Sequence, residues 1–440
     1  MGTIILAIAF VIEIGLAAYC LLTKSRQEKI RSYLGVGAFT AFIFFTLVSV
    51  IQWSFRWYLL GGLLFIWAVI GTIRLIRKKA DTKPFSAVRA VFSAIGALLL
   101  VLIAIVPALI LPQFTLPKPT GEYEIATATF TYTDESRVET FTNTGEKRTV
   151  NVKFWYPKDA DGTYPLVVFS HGTGGIKISN TSTLMDLASN GYVVCSIDHP
   201  YHSQFTIGAD GRFVRMDQAY WQEYLSVVNG RVDDATKHEL TQKWLNLRVA
   251  DMNFVLDTIL AQAKDVNSAE VYRLVDPTQI GLMGHSIGGA EAGQVARMRS
   301  DIRTVINLDG DLDGEYVDFV GGKEVLNDKP YPVPILNIFT DDMARGLDAI
   351  PNVSDVVAAE HVLLTAPHGY DVRLTGTNHF SVTDLPLVSP FFVSMMRSSV
   401  PEVGGAEADP YATIEKMNGI ILQFFNAYIK GEGSFLPPVN

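Results

Sequence analysis

The feature that most constrains this chain is a set of four apolar stretches, each near twenty residues, crowded into its first 112 positions. They run roughly over Ile4–Leu22, Leu34–Gln52, Trp57–Ile73 and Ala90–Leu111. A helix needs about 20 such residues to cross the ~30 Å hydrocarbon core of a bilayer. The spacing therefore predicts four transmembrane helices in a membrane-embedded domain over residues 1–112, and a second domain over 113–440. The first stretch carries no basic n-region and no clear cleavage site, so it is expected to be a span and not a signal peptide. Charge divides at the same place. Residues 1–112 hold 11 Lys/Arg and 3 Asp/Glu, which leaves 25 basic and 42 acidic residues for the rest, a balance of −17. So acidic a domain argues against nucleic acid as its partner.

Basic residues predict the orientation. Lys24, Arg26, Lys29 and Arg31 follow the first stretch; Arg74, Arg77, Lys78, Lys79, Lys83 and Arg89 lie around the third link; the middle link has only Arg56. The positive-inside rule puts the first and third links in the cytoplasm. Both termini, and with them residues 113–440, are then expected on the extracytoplasmic side of the cell membrane. Glu13 sits mid-span, where an isolated charge costs about 2.5–3.5 kcal/mol. It reads either as part of an ion path or as a paired carboxyl at a helix contact. The other three stretches offer no second ionisable group at mid-depth, which favours the paired carboxyl and an anchor over a transporter. Cys20 and Cys195 are expected not to meet, and two cysteines make neither a disulfide framework nor a cysteine metal site.

Beyond the proline-rich exit Pro112–Pro119 the pattern changes. Thr127–Thr133 and Thr149–Tyr156 alternate apolar and polar residues as antiparallel strands do. Pro165–Ser170, Tyr192–Ile197, Gln279–Met283, Thr304–Leu308 and Val333–Phe339 are short and largely apolar, with helical patterns such as Trp244–Ala263 and Ala290–Met298 between several of them. Doubly buried strands alternating with helices predict a mostly parallel sheet covered on both faces. Tyr411–Tyr428 reads as a closing helix.

Candidate chemistry lies at strand ends. Gly284-His285-Ser286-Ile287-Gly288 follows an apolar strand and opens a helix, the setting in which G-x-S-x-G forms a nucleophile elbow. A serine needs a base, and His379, in Gly376-Thr377-Asn378-His379-Phe380, follows the last strand, read at Tyr370–Leu374. His361 and His368 precede that strand, His199 and His202 precede the serine, and His285 is expected to point away. The acid that orients the imidazole is open on spacing: Asp309 ends one strand, Asp341 and Asp342 end the next, and Asp311 and Asp313 compete. The oxyanion formed during acyl transfer needs two N–H donors. Ile287 supplies one; Thr173, in the loop Ser170-His171-Gly172-Thr173-Gly174-Gly175, supplies the other. That loop lacks the G-K-[ST] ending of a phosphate-binding loop.

The segments FSHGTGG, LASNGYVVCSIDHP, GLMGHSIGGAEA, INLDG and GTNHF together resemble the platelet-activating factor acetylhydrolase group of α/β hydrolases over about residues 120–430. The resemblance implies an α/β-hydrolase fold after the four transmembrane helices, with Asp309 as the acid because the family's acid follows the strand after the elbow. It also implies a serine esterase that needs no metal or cofactor and cleaves short or oxidised acyl chains from phospholipid-like esters. Two departures, the multi-span front and the acidic loop Asp309–Gly314, bear on the substrate. Acyl transfer to another alcohol by the same residues, and a non-catalytic membrane sensor on a hydrolase fold, are the competing readings. Arg215–Lys243 and Leu385–Met396 read either as a lid or membrane-leaning surface or as ordinary packing.

Overall fold

A computed structural model describes residues 1–77, 84–348, 357–400 and 403–438. The chain divides into two compact units, Met1–Thr115 with Val388–Phe392, and Leu116–Leu387 with Val393–Asn440.

The first unit is built from four helices, α1 (Gly2–Thr23), α2 (Glu28–Leu47), α3 (Tyr58–Arg77) and α4 (Ala87–Ile110). Each is long and apolar enough to cross a membrane. α2 starts six residues before the expected apolar stretch and stops five before its end. The polar turn Glu28–Arg31 is helical despite its charges, and Ser49, at φ 61°, breaks the run before Ile51. Small residues set the packing of α2 on α3. A Cβ at Gly71 would lie 2.8 Å from the Ser32 carbonyl oxygen, and one at Gly35 would lie 3.2 Å from that of Trp67. Such close approach is how helices associate where no hydrophobic force separates them from lipid. Glu13 is paired: its Oε2 lies 3.3 Å from Arg31 Nη2, and Arg31 Nη1 also donates to Ser93 Oγ at 2.8 Å. The mid-span carboxyl therefore meets a cation from the first turn of α2. Lys78, Lys79 and Lys83 of the third link lie outside the described residues.

The second unit is organised by an eight-stranded sheet. Its strands are β1 (Ile125–Val138), β2 (Lys147–Pro157), β3 (Tyr164–Ser170), β4 (Val193–Asp198), β5 (Val275–His285), β6 (Ile302–Leu308), β7 (Ile335–Thr340) and β8 (Gly369–Leu374). They lie in the spatial order β1-β2-β4-β3-β5-β6-β7-β8. β1 with β2 and β2 with β4 are antiparallel; every other pairing is parallel. Side chains alternate between the two faces of a strand, and both faces are covered, which is why Leu166–Phe169 of β3 and Ile280–Met283 of β5 are apolar runs. Leu166, Val168 and Leu282 face a core with Leu245, Val249, Met252 and Leu256 of the helix Asp234–Ala263. Val167, Phe169 and Met283 face the opposite core, with Ile421, Phe424 and Phe425 of the helix Pro410–Phe425. The parallel strands all end on one edge, where open α/β sheets hold their ligands.

Candidate active site

Ser286 stands between β5 and the helix Ile287–Met298 with φ 57° and ψ −127°, a strained combination for a residue with a side chain. Two glycines make the turn possible. A Cβ on Gly284 would overlap the Gly288 carbonyl, and one on Gly288 would overlap the Ser170 carbonyl at the end of β3. The bend is anchored by the Ser286 N–H, which donates to the Leu308 carbonyl of β6 at 2.8 Å.

Asp309 follows β6 at φ 55°. Its carboxylate is buried and accepts from three groups: His379 Nδ1 at 2.7 Å, the Thr340 N–H at 2.6 Å and Thr340 Oγ1 at 2.9 Å. Burial alone would raise its pKa, and the bond to His379, that group's charge and Thr340 together hold it below the usual carboxylate value. For His379 the signs reverse. Burial lowers its pKa, but the hydrogen bond and charge of Asp309 outweigh it, so the imidazole sits above its ordinary value.

Asp341 and Asp342, the competing acids, do something else. Asp341 Oδ2 accepts the Gly376 N–H at 2.7 Å, and Asp342 Oδ2 accepts the N–H groups of His379 at 3.2 Å and Gly404 at 2.9 Å. They hold the backbone of the loop that carries His379 and leave the ring to Asp309. Asp311 is exposed and Asp313 half-buried; among the described residues neither is hydrogen-bonded to His379.

His285 does not point away. Its ring centroid lies 4.6 Å from that of His379, and its Nε2 is 3.0 Å from the His379 carbonyl. A carbonyl can only accept, so Nε2 carries the proton. Burial and the neighbouring His379 push its pKa down to about 3, which keeps the ring neutral. His285 thus ties the elbow to the His379 loop. Between Asp309 and the serine the backbone is also tight, since a Cβ on Gly310 would overlap the Ser286 carbonyl. The Ser286 hydroxyl itself makes no hydrogen bond among the described residues.

The loop after β3 lies over the elbow. A Cβ on Gly172 would meet His285 Nδ1 at 2.8 Å and Ser286 Cβ at 3.1 Å. Thr173 follows directly, its Oγ1 3.2 Å from the Tyr220 hydroxyl. Tyr220 is buried and stacked 3.9 Å from His202, so this part of Arg215–Lys243 is packing. Phe391, Phe392 and Met395 of the Leu385–Met396 stretch are exposed.

Sequence reasoning missed what holds that loop. Arg248 Nη1 donates to the His171 carbonyl at 2.6 Å. Beneath it, Arg148 forks onto Asp251 at 2.7 and 3.2 Å and reaches Glu139 at 2.8 Å. Asp251 accepts from His199 Nδ1 at 3.0 Å, and His199 Nε2 lies 3.0 Å from Ser170 Oγ, whose own proton goes to Glu291. All these side chains are buried. The available signal was Arg248 and Asp251 standing on the apolar stripe of their helix.

This sheet order, with helices on both faces and a strained serine after β5, defines an α/β hydrolase. The family described as "Platelet-activating factor acetylhydrolase, isoform II" matches residues 115–435, and the chain belongs to it. It is 25% identical to platelet-activating factor acetylhydrolase of Bos taurus over 184 residues, 40% of each chain. It is also 25% identical over 186 residues to a probable 1-alkyl-2-acetylglycerophosphocholine esterase of Arthroderma benhamiae, covering 41% of this chain and 40% of that protein. The chain thus matches less than half the length of these relatives. A ferulic acid esterase from Streptomyces cinnamoneus shares the fold, with TM-score 0.57 and 22% identity over 74% of this chain and 96% of the other.

Proposed function

We propose that this protein is a membrane-anchored serine ester hydrolase that removes short acyl chains from phospholipid-like esters. The observations that carry the reading are the strained Ser286 at the end of β5 and, in ring contact with the adjacent His285, the His379 imidazole bound through Nδ1 to a buried carboxylate at 2.7 Å. With Nδ1 donating to Asp309, His379 Nε2 is left as the lone-pair nitrogen that a base requires. Ser286 Oγ attacks the ester carbonyl and its proton passes to His379 Nε2. The oxyanion is received by the N–H groups of Thr173 and Ile287. Collapse expels the alcohol, which takes the proton back, and water activated by the same imidazole releases the acid.

Relatives named for platelet-activating factor and 1-alkyl-2-acetylglycerophosphocholine support a short acyl group on a glycerophospholipid as substrate. The four apolar helices support anchoring, and the basic residues of their links support an extracytoplasmic second unit. A chain-length series of p-nitrophenyl esters and of short-acyl phospholipids, run on wild type and Ser286→Ala, tests the reading. Turnover falling with acyl length and abolished in the variant is expected; turnover that survives in Ser286→Ala rejects the mechanism. Protease added to intact cells tests the orientation, with cleavage of the second unit expected and full protection contradicting it.

A further inference from the structure

The helical unit contains a cavity of about 850 Å³ with no assigned role, lined by all four of its helices. One end is cationic: Arg26, Arg31, Arg74 and Arg89 line it, against two carboxylates, Glu13 and Glu28. Those carboxylates are taken. Glu28 pairs with Arg26 at 2.7 Å and Glu13 with Arg31 at 3.3 Å. Arg74 and Arg89 have no carboxylate partner among the described residues, so among those residues this end carries two guanidinium groups without a counter-charge. Apart from Glu13 and Ser93, the lining is apolar as it runs into the bundle, from Arg89 to Val101 along α4 and from Cys20 to Ile5 along α1. At 1.5 Å per residue that is roughly 18–22 Å, more than the ~15 Å of one leaflet's half of the hydrocarbon core.

We infer that this cavity is a binding site for one anionic diacyl phospholipid. Its phosphate sits at Arg74 and Arg89, and an acyl chain lies in the slot between the helices. An apolar slot within a bilayer fills with hydrocarbon, because an empty one forfeits the dispersion contacts of its walls. The unpaired arginines at its mouth set the headgroup charge, as basic pockets between membrane helices do for anionic lipids. Two glycines mark the space as open: a Cβ on Gly37 or on Gly96 would meet no atom within 4 Å, although both residues line the cavity. The inference rests on the membrane-anchored reading above and is separate from the hydrolase chemistry.

The test uses the full chain, purified in mild detergent, exchanged into an equimolar mixture of phosphatidylglycerol and phosphatidylcholine, and examined by native mass spectrometry. Wild type is expected to retain one phosphatidylglycerol per chain, preferred over phosphatidylcholine by at least about tenfold. Each guanidinium beside the headgroup is worth a factor of about five. Arg74→Gln with Arg89→Gln should bring the preference to about one while leaving the apolar slot intact. Gly96→Leu, which fills the slot, should lose the retained lipid of either kind. Equal retention of the two lipids by wild type, an unchanged preference in the double variant, or a lipid-free dimer with a second copy in the groove would each overturn the site. Hydrolysis of a soluble p-nitrophenyl ester, measured on the same samples, should be unchanged by all three substitutions. Failure of the hydrolase reading would appear as an inactive wild type, and failure of the lipid site as a lost preference in active protein.

Discussion

The second unit contains the same trio of residue types twice, in two different surroundings. In the interior, Ser170 Oγ lies 3.0 Å from His199 Nε2, and His199 Nδ1 lies 3.0 Å from Asp251. At the sheet edge, Ser286 stands on a strained bend, His379 is in ring contact with the adjacent His285, and His379 Nδ1 lies 2.7 Å from Asp309. By residue type and hydrogen bond the interior trio is the more complete. It is disqualified by its surroundings. The Ser170 hydroxyl already donates to Glu291, so the hydrogen on His199 Nε2 must point at Ser170, and the ring has no lone pair to offer. Burial and Arg248 lower the His199 pKa, but Glu291 and Asp251 raise it further, which favours the imidazolium. All its members are buried. A triad needs an accessible hydroxyl and a neutral base as well as the right distances.

The largest effect that separates the two trios is on turnover. Ser286→Ala should lower ester hydrolysis by about 10⁴–10⁶-fold with folding intact, whereas Ser170→Ala should leave the turnover of folded enzyme within about tenfold. Hydrolysis assays paired with circular dichroism distinguish these outcomes. Next comes the acid. Asp309→Asn should cost about 10³–10⁴-fold in kcat by giving His379 the wrong tautomer. Asp341→Asn and Asp342→Asn, which loosen only the loop backbone, should cost no more than about 10²-fold. An Asp341 or Asp342 variant slower than the Asp309 variant would move the acid.

The interior trio should show itself in stability. Asp251→Ala removes the carboxylate that Arg148 and His199 share, leaving Arg148 with Glu139 alone and His199 with Glu291 alone, so it should destabilise the fold by about 3–5 kcal/mol, read as a lowered denaturant midpoint. Loss of turnover without loss of stability would reverse the assignment.

The smallest effect is on pH dependence. The base works neutral, so kcat/KM should fall as pH drops through a His379 pKa lying above the ordinary 6.5. Asp309→Asn removes the charge that raises it and should shift that limb to lower pH, measured as a pH–rate profile.

The strained turn at Ser286 and the place of His379 after the last strand were legible because each needs fixed residue types at a strand end. Which aspartate meets the His379 ring was not legible from spacing, since Asp309, Asp341 and Asp342 all follow strands. What separates them is three-dimensional: Thr340 from the neighbouring strand grips the Asp309 carboxylate, while Asp341 and Asp342 spend theirs on backbone N–H groups. The buried network was hidden for a similar reason. Arg148 on β2 and Asp251 on a helix are 103 residues apart and meet only when the sheet is covered. The sheet itself was read well, because doubly buried strands leave apolar runs too short to be buried helices. The second helix was offset because its charged first turn, Glu28–Arg31, is helical although it is not apolar.

The most direct test is covalent labelling with a fluorophosphonate, followed by peptide mass spectrometry. One phosphonyl group per chain on Ser286, none on Ser170, and loss of labelling in His379→Ala are the expected results. Folded protein that takes up no label, or takes it up on Ser170, contradicts the account.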